Sequence, residues 1–144
     1  MATRTLQNWL DEYGVSHRNR RNVLIHKVCV PAIFWSLLGF FFGLPYVVAH
    51  AVGYTIILAG LVFYARLGAK AFGLMLIVVS LCLFSYQLLI ANEAPLWQIS
   101  LGVFVVAWIG QFIGHKIEGR KPSFFQDLQF LLIGPLWVFF GRRV

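Results

Sequence analysis

Three of the four histidines in this chain of 144 residues are placed where they could bind a metal ion. His17 and His26 precede the first long apolar block, whereas His115 follows the last one. Imidazole is the commonest ligand of transition metals, and such a site draws its ligands from several elements of the fold. These residues are therefore candidate metal ligands if the two chain ends fold together. Histidines that border apolar segments are also often plain boundary residues, so the pattern alone leaves both interpretations open.

Polar side chains at helical spacing accompany two of these histidines. Asn22 lies four residues before His26, and Gln111 lies four residues before His115, so each amide shares a helical face with its histidine. Glu118 follows His115 by three residues and could supply a carboxylate ligand. Two histidines and one carboxylate form a ligand set that suits non-haem Fe(II).

One geometric condition applies to the first two histidines. His17 and His26 are nine residues apart, and about 100° of rotation per residue would place them on opposite faces of a continuous helix. Both can bind one metal only if the chain bends between them, for instance with Asn19 as a helix cap. His50 follows the turn at Gly43-Leu44-Pro45, which divides the long apolar run. At about 1.5 Å per residue along a helical span it should lie tens of ångströms from the other three, so we leave it out of the site.

The composition places the chain among membrane proteins. Hydrophobic residues make up 60% of it and charged residues only 12%, against about 25% charged residues in a typical soluble domain. A chain this apolar buries enough surface to fold, so disorder is excluded. The net charge of +7 comes from basic residues gathered outside the apolar blocks, which indicates membrane topology and no nucleic-acid partner. Apolar spans without central ionisable residues argue against ion-coupled transport.

The apolar blocks predict four transmembrane helices in a single integral membrane domain over residues 1–144. About 20 apolar residues cross the hydrocarbon core as a helix, and Gly43-Leu44-Pro45 divides the first long uncharged run. The predicted fold class is an all-α, polytopic membrane helix bundle. Its predicted spans are 28–44, 47–65, 71–91 and 96–114.

Two shorter elements are predicted outside the spans. Near the N-terminus an apolar stripe recurs at helical spacing and predicts an amphipathic helix on the membrane surface or under the bundle, which Gly14 can terminate. Residues 128–140 are apolar but short for a span and contain Gly134-Pro135, so we predict an interfacial or re-entrant segment. The stripe consists of Leu6, Trp9, Leu10 and Tyr13.

Basic residues predict the orientation of the spans. Five Lys or Arg residues precede the first span, two lie in the middle loop and five follow the fourth span, whereas the other two loops contain none. By the positive-inside rule all 12 then face the cytoplasm, together with both termini. The membrane would be the inner membrane of a bacterium or the endoplasmic reticulum of a eukaryote.

Some of these basic residues could also bind a ligand. Arg18 and Arg21 lie beside His17, and Arg120 lies close to His115. A cationic rim beside an apolar slot suits an amphiphile whose carboxylate pairs with arginine while its tail stays in membrane lipid. Orientation signal and substrate binding are compatible functions of the same residues.

Residues at both ends of the chain form two motifs. The motif residues are Tyr13-Gly14, His17 to His26, Val30-Pro31, Trp108 to His115, Glu118 to Pro122 and Leu132 to Pro135. These motifs resemble those of a family of small membrane proteins that contains the fungal 2-hydroxy-palmitic acid dioxygenase of 2-hydroxy fatty acid α-oxidation. The spans between the motifs match the family only in their apolar character.

The resemblance implies an Fe(II)-dependent dioxygenase. A 2-hydroxy fatty acid reacts with O2 and loses its carboxyl carbon, which gives the fatty acid one carbon shorter. By motif, the implied iron ligands are His17, His26 and His115. The implied supporting groups in catalysis are Asn22, Gln111 and Glu118.

Two other function classes stay open at this stage. In a bis-histidine haem protein, His26 and His115 would be the axial ligands. In a non-catalytic, lipid-binding membrane scaffold, the histidines would bind nothing. A Soret band in the purified protein would identify the haem protein, and metal analysis separates the scaffold from the iron enzyme.

Overall fold

The chain folds into helices, as a computed structural model shows for residues 5–15, 18–119 and 133–140, with the side chains of 12–15 outside that description. No strand occurs within these ranges. The predicted all-α fold class is therefore confirmed. The helices are α1 (Leu6–Val15), α2 (Arg20–Gly43), α3 (Val47–Leu67), α4 (Ala69–Ala91), α5 (Leu96–Glu118) and α6 (Ile133–Phe140).

Four of these helices, α2 to α5, are long and apolar enough to cross a membrane, as predicted. They contain 21 to 24 residues, and at about 1.5 Å per residue each one matches a hydrocarbon core about 30 Å thick. Large apolar side chains such as Leu58 and Leu81 are exposed on them, as expected for surfaces that face lipid.

All four spanning helices are longer than the apolar sequence predicts, and α2 and α5 differ most. α2 begins at Arg20 instead of residue 28, and α5 ends at Glu118 instead of residue 114. Hydropathy marks the part of a helix that lies in lipid, whereas the hydrogen-bonded helix continues past that boundary. The polar motif residues of α2 and α5 therefore lie on rigid extensions of the spans.

The connection between α3 and α4 depends on one glycine. Gly68 has φ 129° and ψ 167°, a backbone conformation that residues with a Cβ rarely adopt. It lets α3 run on to Leu67 and α4 begin at Ala69, so the helices approach more closely in sequence than the predicted spans suggest. α3 and α4 pack against each other.

The chain divides into two compact units. The terminal unit comprises Met1–Phe34 and Val105–Val144, and the central unit comprises Trp35–Phe104. Both α2 and α5 contribute to each unit. The expectation of a single domain over residues 1–144 stays a prediction.

In the terminal unit the short helices α1 and α6 pack together. Leu10 of the predicted stripe is buried, and α6 buries Leu136 and Trp137. The side chain of Tyr13 lies outside the described residues, and α1 continues one residue beyond Gly14 to Val15.

The predicted interfacial or re-entrant segment corresponds in part to α6. Its eight residues extend about 12 Å, too short to cross a bilayer. Gly134-Pro135 does not interrupt this helix, because proline is tolerated in the first turn of a helix. Residues 128–132 of the predicted segment lie outside the described ranges.

In the central unit, hydrogen bonds and close packing hold α2 against α4 and α5. Trp35 Nε1 donates to Ser85 Oγ at 2.8 Å, and Tyr86 Oη donates to the Trp35 carbonyl at 2.5 Å. At the end of α2, a Cβ on Gly43 would lie 2.9 Å from the Trp97 Cα and closer still to the Trp97 amide nitrogen. Small residues permit such close contact between membrane helices.

The close contact at Gly43 predicts a position-specific loss of stability. Gly43→Ala should lower the free energy of unfolding by about 1–3 kcal/mol, because the added methyl meets backbone atoms that cannot rotate away. The matched control is Gly102→Ala in α5, where a Cβ would meet nothing within 4 Å. Unfolding of the detergent-solubilised protein, followed by circular dichroism, measures both changes. Equal stability of the two variants would contradict the packing assignment.

Candidate metal centre

The terminal unit brings α2 and α5 together at two glycines. A Cβ on Gly110 would lie 2.5 Å from Cys29 Sγ, and a Cβ on Gly114 would lie 3.4 Å from His26 Cε1 and closer still to Asn22 Oδ1. The two helices therefore run antiparallel and in close contact here. The Gly110-x-x-x-Gly114 spacing is a known signal for close packing of membrane helices, and it could have revealed this contact from the sequence.

Two of the predicted metal ligands meet at this contact. His26 of α2 and His115 of α5 are buried, with exposed fractions of 1% and 7%. Their ring centroids are 5.7 Å apart and their planes are 83° apart, an edge-to-face arrangement. Residues that are distant in sequence thus place two imidazoles side by side in a site shielded from water.

A backbone hydrogen bond fixes the orientation and tautomer of His26. Its Nδ1 lies 3.0 Å from the Asn22 carbonyl oxygen, one helical turn earlier. Because a carbonyl oxygen only accepts, Nδ1 carries the proton and the lone pair of the neutral ring lies on Nε2. Metal-binding histidines are commonly held in this way, with one nitrogen donating to a carbonyl.

Glu118 connects the end of α5 to the start of α2. Its carboxylate accepts hydrogen bonds from the Arg18 amide at 3.0 Å and from the Asn19 amide at 2.9 Å. It also accepts one from Asn22 Nδ2 at 3.0 Å. Both carboxylate oxygens are thereby engaged, since Oε1 faces the Arg18 amide and Oε2 faces Asn19 and Asn22. Glu118 therefore positions the start of α2, and its role toward a metal stays a prediction.

The position of Glu118 also satisfies the electrostatics of the α2 N-terminus. The first amides of a helix lack partners inside the helix, and its N-terminus carries a partial positive charge. The first turn of α2 contains Arg20 and Arg21 and no acidic residue of its own. Glu118 supplies the missing negative charge from α5. Gly119 directly follows Glu118 and has φ 78°, so it terminates α5 in the left-handed conformation common after helices.

The bend required before His26 is present. Arg18 and Asn19 are not helical, and Asn19 Oδ1 accepts a hydrogen bond of 2.9 Å from the Arg21 amide. Asn19 therefore caps α2, which begins after His17. His17 itself lies outside the described residues. Because α2 begins at Arg20, one continuous helix does not run from His17 to His26, and the helical rotation that would place them on opposite faces is not a constraint.

Gln111 is the other buried amide of the site. It lies on α5 one helical turn before His115, with an exposed fraction of 5%. No hydrogen-bond partner within the described part of the chain reaches its Oε1. The predicted sharing of a helical face by Gln111 and His115 follows from the continuity of α5 through both residues.

The remaining predicted site residues lie at the surface or outside the described ranges. Arg18 and Arg21 are exposed at the end of α2 that carries His26, and Arg120 is outside the described residues. His50 belongs to the central unit, where its Nε2 lies 2.9 Å from the Leu44 carbonyl oxygen.

Among the described residues, no group of three or more His, Cys, Asp or Glu side chains is arranged to hold a metal. His17 lies outside the described residues, so this search does not cover the predicted set of three ligands. The assignment of His17, His26 and His115 as a metal site stays a prediction.

The packing around the two histidines bears on the haem alternative. A haem with His26 and His115 as axial ligands would insert its macrocycle between the two rings. Gly110 and Gly114 hold α2 and α5 in direct contact at this level, and the choice between an iron ion and a haem stays a prediction.

The central unit contains an apolar cavity of about 240 Å³, lined by residues of α2 and α5. Ser36 is the one polar side chain among its lining residues. No titratable group lines it, so it offers no alternative centre for metal chemistry. The other lining residues are Leu37, Phe40, Phe41, Leu101 and Phe104.

Comparison with known proteins agrees with the two motifs. The family model described as 2-hydroxy-palmitic acid dioxygenase Mpo1-like matches residues 3–141. The chain is also 31% identical to the 2-hydroxy-palmitic acid dioxygenase MPO1 of Saccharomyces cerevisiae, over 94% of this chain and 78% of that protein. No solved structure matches the chain. Because the match extends through both histidine motifs and all four spanning helices, the chain belongs to the 2-hydroxy-palmitic acid dioxygenase Mpo1-like family.

Proposed function

We propose that this membrane protein is a dioxygenase that converts 2-hydroxy fatty acids, such as 2-hydroxypalmitate, into fatty acids one carbon shorter. Family membership and the name of the yeast relative support the reaction class. The observation that carries the proposal is the buried pair of His26 and His115 at the contact of α2 and α5. With one O2 per substrate, the reaction balances when the carboxyl carbon leaves as CO2 and one water forms.

The proposed cofactor is Fe(II), held by His17, His26 and His115. Imidazole nitrogens suit iron, and the lone pair of neutral His26 lies on the ring nitrogen opposite the one bonded to Asn22. When bound, the iron supplies the redox chemistry that lets O2 react with an organic acid. The donor chemistry of the described residues fits such an ion.

The other residues of the terminal unit have separate functions in this proposal. Burial of both rings excludes water from the reaction. Asn22 and Glu118 hold His26 and the start of α2 in place. The guanidinium groups of Arg18, Arg21 and Arg120 attract and bind the substrate carboxylate, while its alkyl chain stays in the apolar part of the membrane.

We also propose that the site faces the cytoplasm. Arg20 and Arg21 are exposed in the first turn of α2, and Lys116 is exposed in the last turn of α5, at the same end of both helices as the histidines. Arg66 in the last turn of α3 and Lys70 in the first turn of α4 are exposed on either side of Gly68. By the positive-inside rule, these residues mark the cytoplasmic ends of the spans.

The reaction itself can be tested with purified protein. We expect protein loaded anaerobically with Fe(II) to convert 2-hydroxypalmitate into pentadecanoic acid when O2 is admitted, without an added reductant. Mass spectrometry of the extracted fatty acids measures the product, and palmitate is the control substrate. A folded, iron-loaded sample that yields no pentadecanoic acid would exclude the proposed activity.

Replacement of the paired histidines should abolish iron binding and turnover together. His26→Ala and His115→Ala each remove an imidazole from the site, and we expect a loss of turnover of about 100-fold or more with little retained iron. His50→Ala is the matched control, because His50 is exposed and bonds to a carbonyl in the central unit. Elemental analysis and product formation measure the two effects. Normal turnover by either site variant would refute its role as a ligand.

Glu118 should affect metal affinity without being a ligand. Glu118→Gln keeps the size of the side chain but removes the charge that binds the Arg18 and Asn19 amides, so we expect metal affinity to fall by about 10- to 100-fold. Titration with Co(II), followed by its absorption bands, measures the dissociation constant. Glu93→Gln, at an exposed position, is the control. A variant whose Co(II) affinity equals that of the wild type would show that Glu118 does not position the site.

A further inference from the structure

Gln111 presents a buried polar group that the fold itself does not use. Its exposed fraction is 5%, and its Oε1 has no hydrogen-bond partner within the described chain. A buried acceptor without a donor costs about 1–3 kcal/mol in a folded protein, whereas an apolar residue of the same size avoids that cost. A purely structural role would be served better by leucine or methionine. The carboxamide therefore points to a ligand that donates to it.

The neighbours of Gln111 place this acceptor at the proposed reaction site. Gln111 lies one turn before His115 on α5, between Gly110 and Gly114 in sequence. These glycines are the residues that bring α5 against α2 beside His26. The backbone on either side of Gln111 is therefore fixed by helix packing, which holds its side chain on the same helical face as His115.

Only one group of the proposed substrates can donate a hydrogen bond to Gln111 Oε1. An amide oxygen only accepts hydrogen bonds, so it needs a donor. The ionised carboxylate of a fatty acid and O2 offer none, whereas the hydroxyl at carbon 2 offers one. We infer that Gln111 Oε1 accepts the hydrogen bond of the substrate 2-hydroxyl and thereby selects 2-hydroxy acids over unsubstituted fatty acids. This inference rests on the proposed function and adds a specificity-determining residue to it.

The expected effect is a preference in binding. A site built to bond a hydroxyl discriminates against the analogue that lacks it, because the buried polar group is then left unsatisfied. We expect the wild type to bind 2-hydroxypalmitate at least about tenfold more tightly than palmitate through this contact. In Gln111→Met this preference should fall to a few-fold or less. The affinity for palmitate should stay the same or rise, because methionine leaves no unsatisfied acceptor.

The experiment measures equilibrium binding to the metal-loaded protein in lipid nanodiscs under anaerobic conditions, so that no turnover occurs. Both fatty acids are titrated into the wild type, Gln111→Met and the control Gln98→Met, whose side chain is exposed on the same helix. Collapse of the preference in Gln111→Met alone is the expected result. An unchanged preference in that variant would overturn the inference.

A second measurement requires no variant, in case Gln111→Met does not fold. The substrate 2-methoxypalmitate keeps the oxygen at carbon 2 but has no proton to donate. We expect the wild type to bind it no better than palmitate, and binding equal to that of 2-hydroxypalmitate would overturn the role of Gln111. The proposed function is tested separately by turnover: pentadecanoic acid formation combined with an unchanged preference excludes only the role of Gln111.

Discussion

The contact between the Glu118 carboxylate and the N-terminus of α2 joins chain segments about 100 residues apart. In an apolar chain, the unsatisfied amides at the start of a helix need an acceptor, and α2 has none in its own first turn beyond the Asn19 cap. A carboxylate from α5 meets that need and also balances nearby arginines. The same carboxylate accepts a hydrogen bond from the side chain of Asn22, whose backbone carbonyl oxygen bonds the His26 ring. The start of α2 and the surroundings of a candidate metal ligand therefore share one carboxylate.

Close helix packing supplies the second condition of the site. Gly110 and Gly114 let α5 approach α2 until backbone and side chains of the two helices touch. Because lipid tails are as apolar as leucine side chains, the hydrophobic effect does not drive membrane helices together. Close packing and interhelical hydrogen bonds hold them together instead. The same contact buries both imidazoles. The packing that holds α2 and α5 together in the terminal unit therefore also shields the two histidines from water.

Buried polar groups occur in both units, but their surroundings differ. In the central unit Trp35, Ser85 and Tyr86 bond within the helix packing, and Ser100 Oγ is buried with no partner among the described residues. In the terminal unit, Gln111 Oε1 is also buried with no partner among the described residues, and it lies one helical turn before His115 of the histidine pair. Each buried unsatisfied group needs a specific explanation, and a bound ligand is one. The neighbouring histidine pair, together with family membership, directs attention to the terminal unit.

The sequence by itself determined the helical class, the four spans and the faces shared by Asn22 with His26 and by Gln111 with His115. These features depend on local hydropathy and on the period of the helix, and both can be read from the order of residues along the chain. Only the tertiary structure decided that Glu118 caps another helix, because its partners lie at the far end of the chain. The tertiary structure likewise decided the distance between His26 and His115. Packing between helices that are distant in sequence leaves no periodic pattern, so residue spacing along the chain cannot predict it.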